Sequence, residues 1–301
     1  MSYARAIHPG TTYFVTRRTE RRHCLLRPDP RVNQLIRYSL VVSALRHGML
    51  LHAFCAMSTH VHYVITGTRG NLPKFLEMFH SLVSRGIKRI HAWDGAVWDR
   101  AQTSVIELCT RQAIIEKIAY TLANPVRAGL VWMAREWPGV KTTIKGIGRH
   151  FIEARRPQTY FSAQNDKWVP SAKLIMALPP SVPVDEVRGF RRAIGRELCR
   201  LENAAHAVIP KQVVLGAKKA MLIAPETRIT SYEPKYQHHS TFAVGREAPP
   251  EARLAAVAKR RAFRVAYRNA LLAWRAGNRT VEFPAGTYAM REFHRANIAH
   301  E

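Results

Sequence analysis

The chain has 301 residues, 47% of them hydrophobic, and carries 47 Lys and Arg against 21 Asp and Glu for a formal charge of +26. That apolar fraction excludes wholesale disorder, and no run of about 18 apolar residues is present to cross a membrane. Four scattered cysteines, Cys24, Cys55, Cys109 and Cys199, make neither a disulfide scaffold nor a zinc knuckle. The opening Met1-Ser2-Tyr3-Ala4-Arg5 lacks the apolar core of a secretion signal, so a reduced, cytoplasmic setting is expected.

The charge excess is not a tail. Residues 1–150 hold 22 basic and 8 acidic side chains, and the remainder holds 25 and 13. A folded body of that charge repels itself unless a polyanion compensates. Nucleic acid is the usual one, because each neutralised phosphate releases a condensed counterion.

In chain order, Thr11 to Thr16 (TTYFVT) is β-branched and aromatic and reads as a strand. Asp29-Pro30 supplies an N-cap and an N1 proline for a helix that runs to Gly48. Leu50 to Met57 and His60 to Thr66 are the next strands, the latter alternating cleanly. Asn71 is placed to cap a helix whose apolar residues Leu72, Phe75, Phe79, Leu82, Val83 and Ile87 keep helical spacing. Val105 to Leu108 is a short strand, and Arg111 to Asn124 a helix ended by Pro125. Strands and helices mix without strict alternation, which favours an α+β fold with an antiparallel sheet and helices on one face. Further on, Val184 to Ala207 and Pro250 to Gly277 read as long helices between proline-rich stretches. The organisation expected is residues 1–145 as one domain, 146–165 as a linker, and 166–301 as a basic, mainly helical accessory region.

Two places carry chemistry. In His60-Val61-His62 the imidazoles share one strand face while Val61, Tyr63 and Ile65 share the other. The apolar set belongs against the helices, which leaves the histidines on the open face. Such a pair suits Mn²⁺, and Mg²⁺ would need added oxygen ligands. Taken alone, a His-x-His is also compatible with a structural pair. The second place is Tyr120, set roughly opposite the stripe Ile115, Ile118, Ala119 and Leu122, with Glu116 and Asn124 one turn away on either side. An ordinary surface tyrosine would fit the helix pattern equally. His238-His239, adjacent in a polar loop, would diverge and make a poor metal site.

The run Tyr120-Thr121-Leu122-Ala123-Asn124-Pro125-Val126-Arg127-Ala128-Gly129-Leu130-Val131, downstream of Met57-Ser58-Thr59-His60-Val61-His62, resembles the REP-associated tyrosine transposases of the IS200-like, single-tyrosine HUH superfamily. The resemblance spans about residues 9–143. It implies a ferredoxin-like α+β domain, in a bacterial, nucleoid-associated protein, that cuts single-stranded DNA near REP-like hairpins. His60 and His62 match the metal pair, Tyr120 matches the nucleophile that forms a 5′-phosphotyrosine, and Asn124 falls where a polar third ligand sits. The cofactor implied is a divalent metal, Mg²⁺ or Mn²⁺. Ser58-Thr59 stands where the family often has Pro-Asn, and Thr121-Leu122-Ala123 follows the tyrosine where a histidine is common.

Arg17, Arg18, Arg21, Arg22 and Arg127 are the expected phosphate contacts, gripping backbone and reading little sequence. The activity expected is metal-dependent single-strand endonuclease and strand transfer, by a monomer or homodimer. A domesticated DNA-binding or regulatory protein with weak or no catalysis is the alternative. Glu116 is a candidate to take the phenol proton, with water as the plain substitute.

Overall fold

The computed structural model describes residues 5–100, 103–162, 164–165, 167–230 and 240–300; Tyr232, Tyr236 and His238-His239 lie outside them. The first half runs β1 (Thr12–Arg18), α1 (Pro30–Arg46), β2 (Met49–Ala56), β3 (His60–Gly67), α2 (Leu72–His91), β4 (Ser104–Leu108) and α3 (Arg111–Arg127). Then follow β5 (Phe151–Arg155), β6 (Ser171–Ile175), α4 (Val187–His206), α5 (Ala217–Leu222), β7 (Phe242–Ala243), α6 (Pro250–Arg275), β8 (Glu282–Phe283), α7 (Tyr288–His294) and β9 (Asn297–Ile298).

The main sheet has the order β2-β3-β1-β4-β7, antiparallel except where β7 joins β4 in parallel. Alternation decides which side chain meets which layer. Tyr13, Val15, Val61, Tyr63 and Ile65 face α1 and α2, where Leu35, Ile36, Phe75, Phe79 and Val83 complete the larger core. Gly86 lets the two helices approach, since a Cβ there would overlap the methyl groups of Leu35.

The α+β class, the antiparallel sheet and the α1–α2 layer are those expected from the sequence. The other face, expected to be open, is covered over part of its area by α3 and α4. Phe14, Ala53 and Val64 offer apolar area there, and Ile114, Ile115, Ile118 and Leu122 of α3 bury against it, with Phe190 and Ile194 of α4 behind. Each such side chain gains roughly 1.5–3 kcal/mol from leaving water, which a bare sheet face would forgo.

Part of the region after the first half packs onto this core. Residues 146–165, expected as a linker, contain β5, which pairs with β6 into a hairpin lying on α1. Phe161 and Leu174 enter the core shared with α1. Within 166–301, α4 packs along α3, and β7 extends the sheet. Only Ala256 and Ala270 of α6 are buried. The end of α6 forms a small cluster with Phe283, Met290 and Ala296.

Candidate active site

His60 and His62 lie on the sheet face that α3 crosses. Register sets Thr16 of β1 opposite His62, and its Oγ1 hydrogen-bonds to His62 Nδ1 at 2.8 Å. Thr59 Oγ1 bonds to His60 Nδ1 at 2.9 Å. Both Nδ1 atoms being engaged, the Nε2 atoms are the ones turned to other partners. The two rings stand 4.6 Å apart and nearly perpendicular. His62 is further held by Phe14, stacked 5.3 Å away.

Helix α3 starts at a firm cap, the Thr110 hydroxyl accepting from Ala113 N at 3.1 Å. It runs one turn beyond the stop expected at Asn124. Pro125 sits inside the final turn, and the helix closes two residues after it. Leu130 N donates to Pro125 O at 2.9 Å and Gly129 N to Val126 O at 2.9 Å, with Gly129 at φ +65°. This is a Schellman closure, which calls for a residue able to adopt the left-handed conformation.

The extra turn matters to the site. It brings Arg127 back onto Tyr120, its guanidinium carbon 4.6 Å from the ring centre. Lys117 Nζ lies 5.3 Å from the same ring. Tyr120 is not a bystander on the helix surface: its ring meets His62 edge-on at 5.5 Å and Phe14 at 5.7 Å. Asn124, one turn on, hydrogen-bonds to the His60 imidazole. It is buried, and its Nδ2 has no partner.

His60, His62, Tyr120 and Asn124 line one cleft of about 430 Å³, together with Thr16, Arg18, Arg22, Met57, Ser58, Thr59, Leu130, Ile223 and Ile229. Arg22 reaches it from a tight turn in which Arg21 and Arg22 both adopt left-handed backbone, φ 48° and 56°. Arg21 itself is exposed and pairs loosely with Glu20 at 3.7 Å. Arg17 is on the opposite sheet face, where Asp99 and Tyr63 act on it. Of the five arginines expected at phosphate, the structure brings Arg18, Arg22 and Arg127 to the site. Glu116 is held elsewhere. Its carboxylate accepts from Gln112 Nε2 at 3.2 Å and from Arg246 N at 2.9 Å.

Electrostatics make the imidazoles lone-pair donors. Burial pushes His60 down to about 4, Arg18 and Arg22 add to the shift, and the Asn124 hydrogen bond opposes it. Burial holds His62 well below its ordinary range, reinforced by His60, Arg18, Lys117 and Arg127. Burial likewise lowers Lys117. Two neutral imidazoles and a carboxamide suit a cation that accepts nitrogen and oxygen donors. Among the described residues no group of three or more His, Cys, Asp or Glu is placed to hold a metal ion. With Arg18, Arg22, Lys117 and Arg127 around it, the site favours a cation that arrives with an anion.

Sequence reasoning missed Thr16 and Thr59, Lys117, and the apolar wall of Ile223 and Ile229. Strand pairing alone reveals Thr16. Lys117, three residues before Tyr120, was legible from helical spacing. Nothing local marks the isoleucines, about a hundred residues away in the chain.

No family model and no curated protein matches the sequence. Solved structures do match in fold comparison. One is a REP-associated tyrosine transposase bound to a REP hairpin, 17% identical, covering 58% of this chain and 99% of that one at a TM-score of 0.42. Another is a candidate transposase from Deinococcus radiodurans R1, 20% identical, covering 35% of this chain and 82% of that one at a TM-score of 0.28.

Proposed function

We propose that this chain nicks and rejoins single-stranded DNA near hairpins, as a transposase-like enzyme, with Tyr120 as nucleophile and His60, His62 and Asn124 as ligands of a divalent metal. One observation carries the reading: a phenol, two neutral imidazoles and a buried carboxamide meet in a cleft lined by Arg18 and Arg22, with Lys117 and Arg127 against the Tyr120 ring. A structural histidine pair needs neither an accessible tyrosine nor that density of cations.

The cations draw the phosphate to the tyrosine. Phe14 and His62 hold the Tyr120 ring edge-on, so its hydroxyl is aimed by packing before substrate arrives. Thr16 and Thr59 fix the imidazoles through Nδ1, as partners of ligating histidines do. A bound Mn²⁺ or Mg²⁺ would supply Lewis-acid polarisation of the scissile phosphate. The tyrosine oxygen attacks phosphorus in line. A phosphorus–oxygen bond to tyrosine forms as the bond to the 3′ oxygen breaks. Water takes the phenol proton, and the leaving oxygen ends as a free 3′-OH. The phosphotyrosine keeps the energy of the broken bond, so a 3′-OH from another strand can reverse the step without ATP.

The test is incubation of the protein with a single-stranded hairpin oligonucleotide and Mn²⁺, followed by a denaturing gel. A covalent adduct that is absent from Tyr120→Phe supports the reading. Cutting that persists in Tyr120→Phe overturns the tyrosine mechanism, and DNA shifted but never cut overturns the enzymatic one.

A further inference from the structure

The lining of the cleft is of two chemical kinds. His60, Tyr120, Arg18 and Arg22 are polar or cationic, whereas Met57, Leu130, Ile223 and Ile229 give it an apolar wall. The isoleucines come from residues 223–229, a strap that crosses the turn carrying Arg22. Cys24 N donates to Thr227 O at 2.9 Å and Ile229 N to Arg22 O at 3.2 Å. Arg27 holds Ile223 O at 3.0 Å, and Arg228 Nε donates to His23 Nε2 at 2.9 Å. A surface loop with no ligand to contact has no need for so many ties.

Ser58 stands in the same wall. It is 4% exposed, and its Oγ has no hydrogen-bond partner. A buried hydroxyl left unpaired is costly, and the cost is recovered if a ligand supplies the partner. A phosphate gains nothing from isoleucine and methionine side chains, whereas an unpaired nucleobase offers an apolar face for them and polar edges for one hydroxyl.

We propose that this apolar wall is one side of a nucleobase pocket, in which Met57, Leu130, Ile223 and Ile229 pack on the base of a nucleotide next to the scissile phosphate and Ser58 reads its edge. The pocket rests on the cleft being a single-strand DNA site. Its role is to draw one base out of the stack and so set which phosphodiester lies at Tyr120.

The experiment is an abasic scan. Full-length protein binds a fluorescent single-stranded hairpin oligonucleotide without added divalent metal, and anisotropy is read as each nucleotide beside the hairpin foot is made abasic in turn. Wild-type protein should lose roughly tenfold in affinity at one position, the scale of a single stacked base. Ile229 is 44% exposed, so Ile229→Ser should fold normally, bind the intact strand more weakly, and show no further loss at that position. Ser58→Ala should keep the abasic penalty but bind the four bases there within about twofold of one another, having lost one hydrogen bond. A flat scan in wild type, or an Ile229→Ser penalty equal to wild type, overturns the pocket. Unchanged base preference in Ser58→Ala overturns the serine's part in it. No binding to single-stranded DNA at all overturns the proposed function, whereas binding with a flat scan leaves that function standing.

Discussion

At the scale of single residues, the site depends on side chains that touch no substrate. Thr16 holds His62 from the neighbouring strand, and it is not part of any motif. Thr16→Val keeps the shape and removes the hydroxyl. Mn²⁺ affinity measured by calorimetry should fall roughly 10–100-fold, the usual cost of losing a ligand's outer partner, while stability drops only by about 1–3 kcal/mol for the imidazole nitrogen left unpaired. Unchanged Mn²⁺ affinity would show that His62 needs no such orientation. The shared face of the histidine pair was legible in the sequence, because strand alternation alone puts His60 and His62 on one face and Tyr63 on the other. The threonine was not, because its role exists only once β1 and β3 pair in one particular register.

At the scale of elements, two irregularities set the geometry. The first is the end of α3. Gly129 stands at φ +65°, yet a Cβ there would meet nothing nearer than Ile209 Cγ2 at 3.7 Å. Gly129→Ala is therefore a test of backbone conformation without a clash, and urea denaturation should show a loss of about 1–2 kcal/mol. A neutral outcome would mean that the closing turn is not as described. Reading Pro125 as the helix stop misplaced this end, since its ring fixes a φ that is itself helical and its missing N–H removes one bond without preventing the two residues that follow from completing the turn.

The second irregularity is a bulge in β2. The pairing with β3 shifts between Leu51 and Ala53, so Leu51 and Phe54 face the same core despite their spacing. His52, fully buried at the bulge, bonds through Nδ1 to Ala177 O at 2.9 Å and through Nε2 to Thr66 Oγ1 at 2.8 Å. Burial pushes it down from 6.5 to about 4. The unfolded chain therefore takes up this proton more readily than the folded one. The contribution is intact above about pH 6.5 and is lost as pH falls towards 4, on the order of 3 kcal/mol for this histidine. His80, pushed to about 3 by burial and by Arg17, acts in the same direction. Denaturant melts between pH 7 and pH 4 should show this decline, and a flat profile would contradict the buried, neutral state. Strand position was readable from the sequence, but the bulge was not, because it answers to a partner 125 residues away.

At the scale of the whole molecule, charge and topology work together. The formal charge of +26 is spread over both halves, while β7 and α4 bind the later sequence onto the earlier core. Composition points to a polyanion partner. It held no sign that residues 146–165 form part of a hairpin on α1, because that hairpin is stabilised by Phe161 and Leu174 meeting a helix more than a hundred residues earlier. If the cations grip phosphates, affinity for single-stranded DNA should fall linearly with salt on logarithmic axes. Arg22→Gln should reduce that slope by about one, roughly independent of sequence; an unaltered slope would place Arg22 away from phosphate.

Everything functional in this account turns on Tyr120 becoming covalently joined to DNA. The direct measurement is mass spectrometry of tryptic and nuclease digests after reaction with a hairpin oligonucleotide and Mn²⁺. The peptide from Ile118 to Arg127 should carry a nucleotide on Tyr120 through phosphate. A nucleotide found on another tyrosine, or cleaved DNA with no modified peptide, would contradict it.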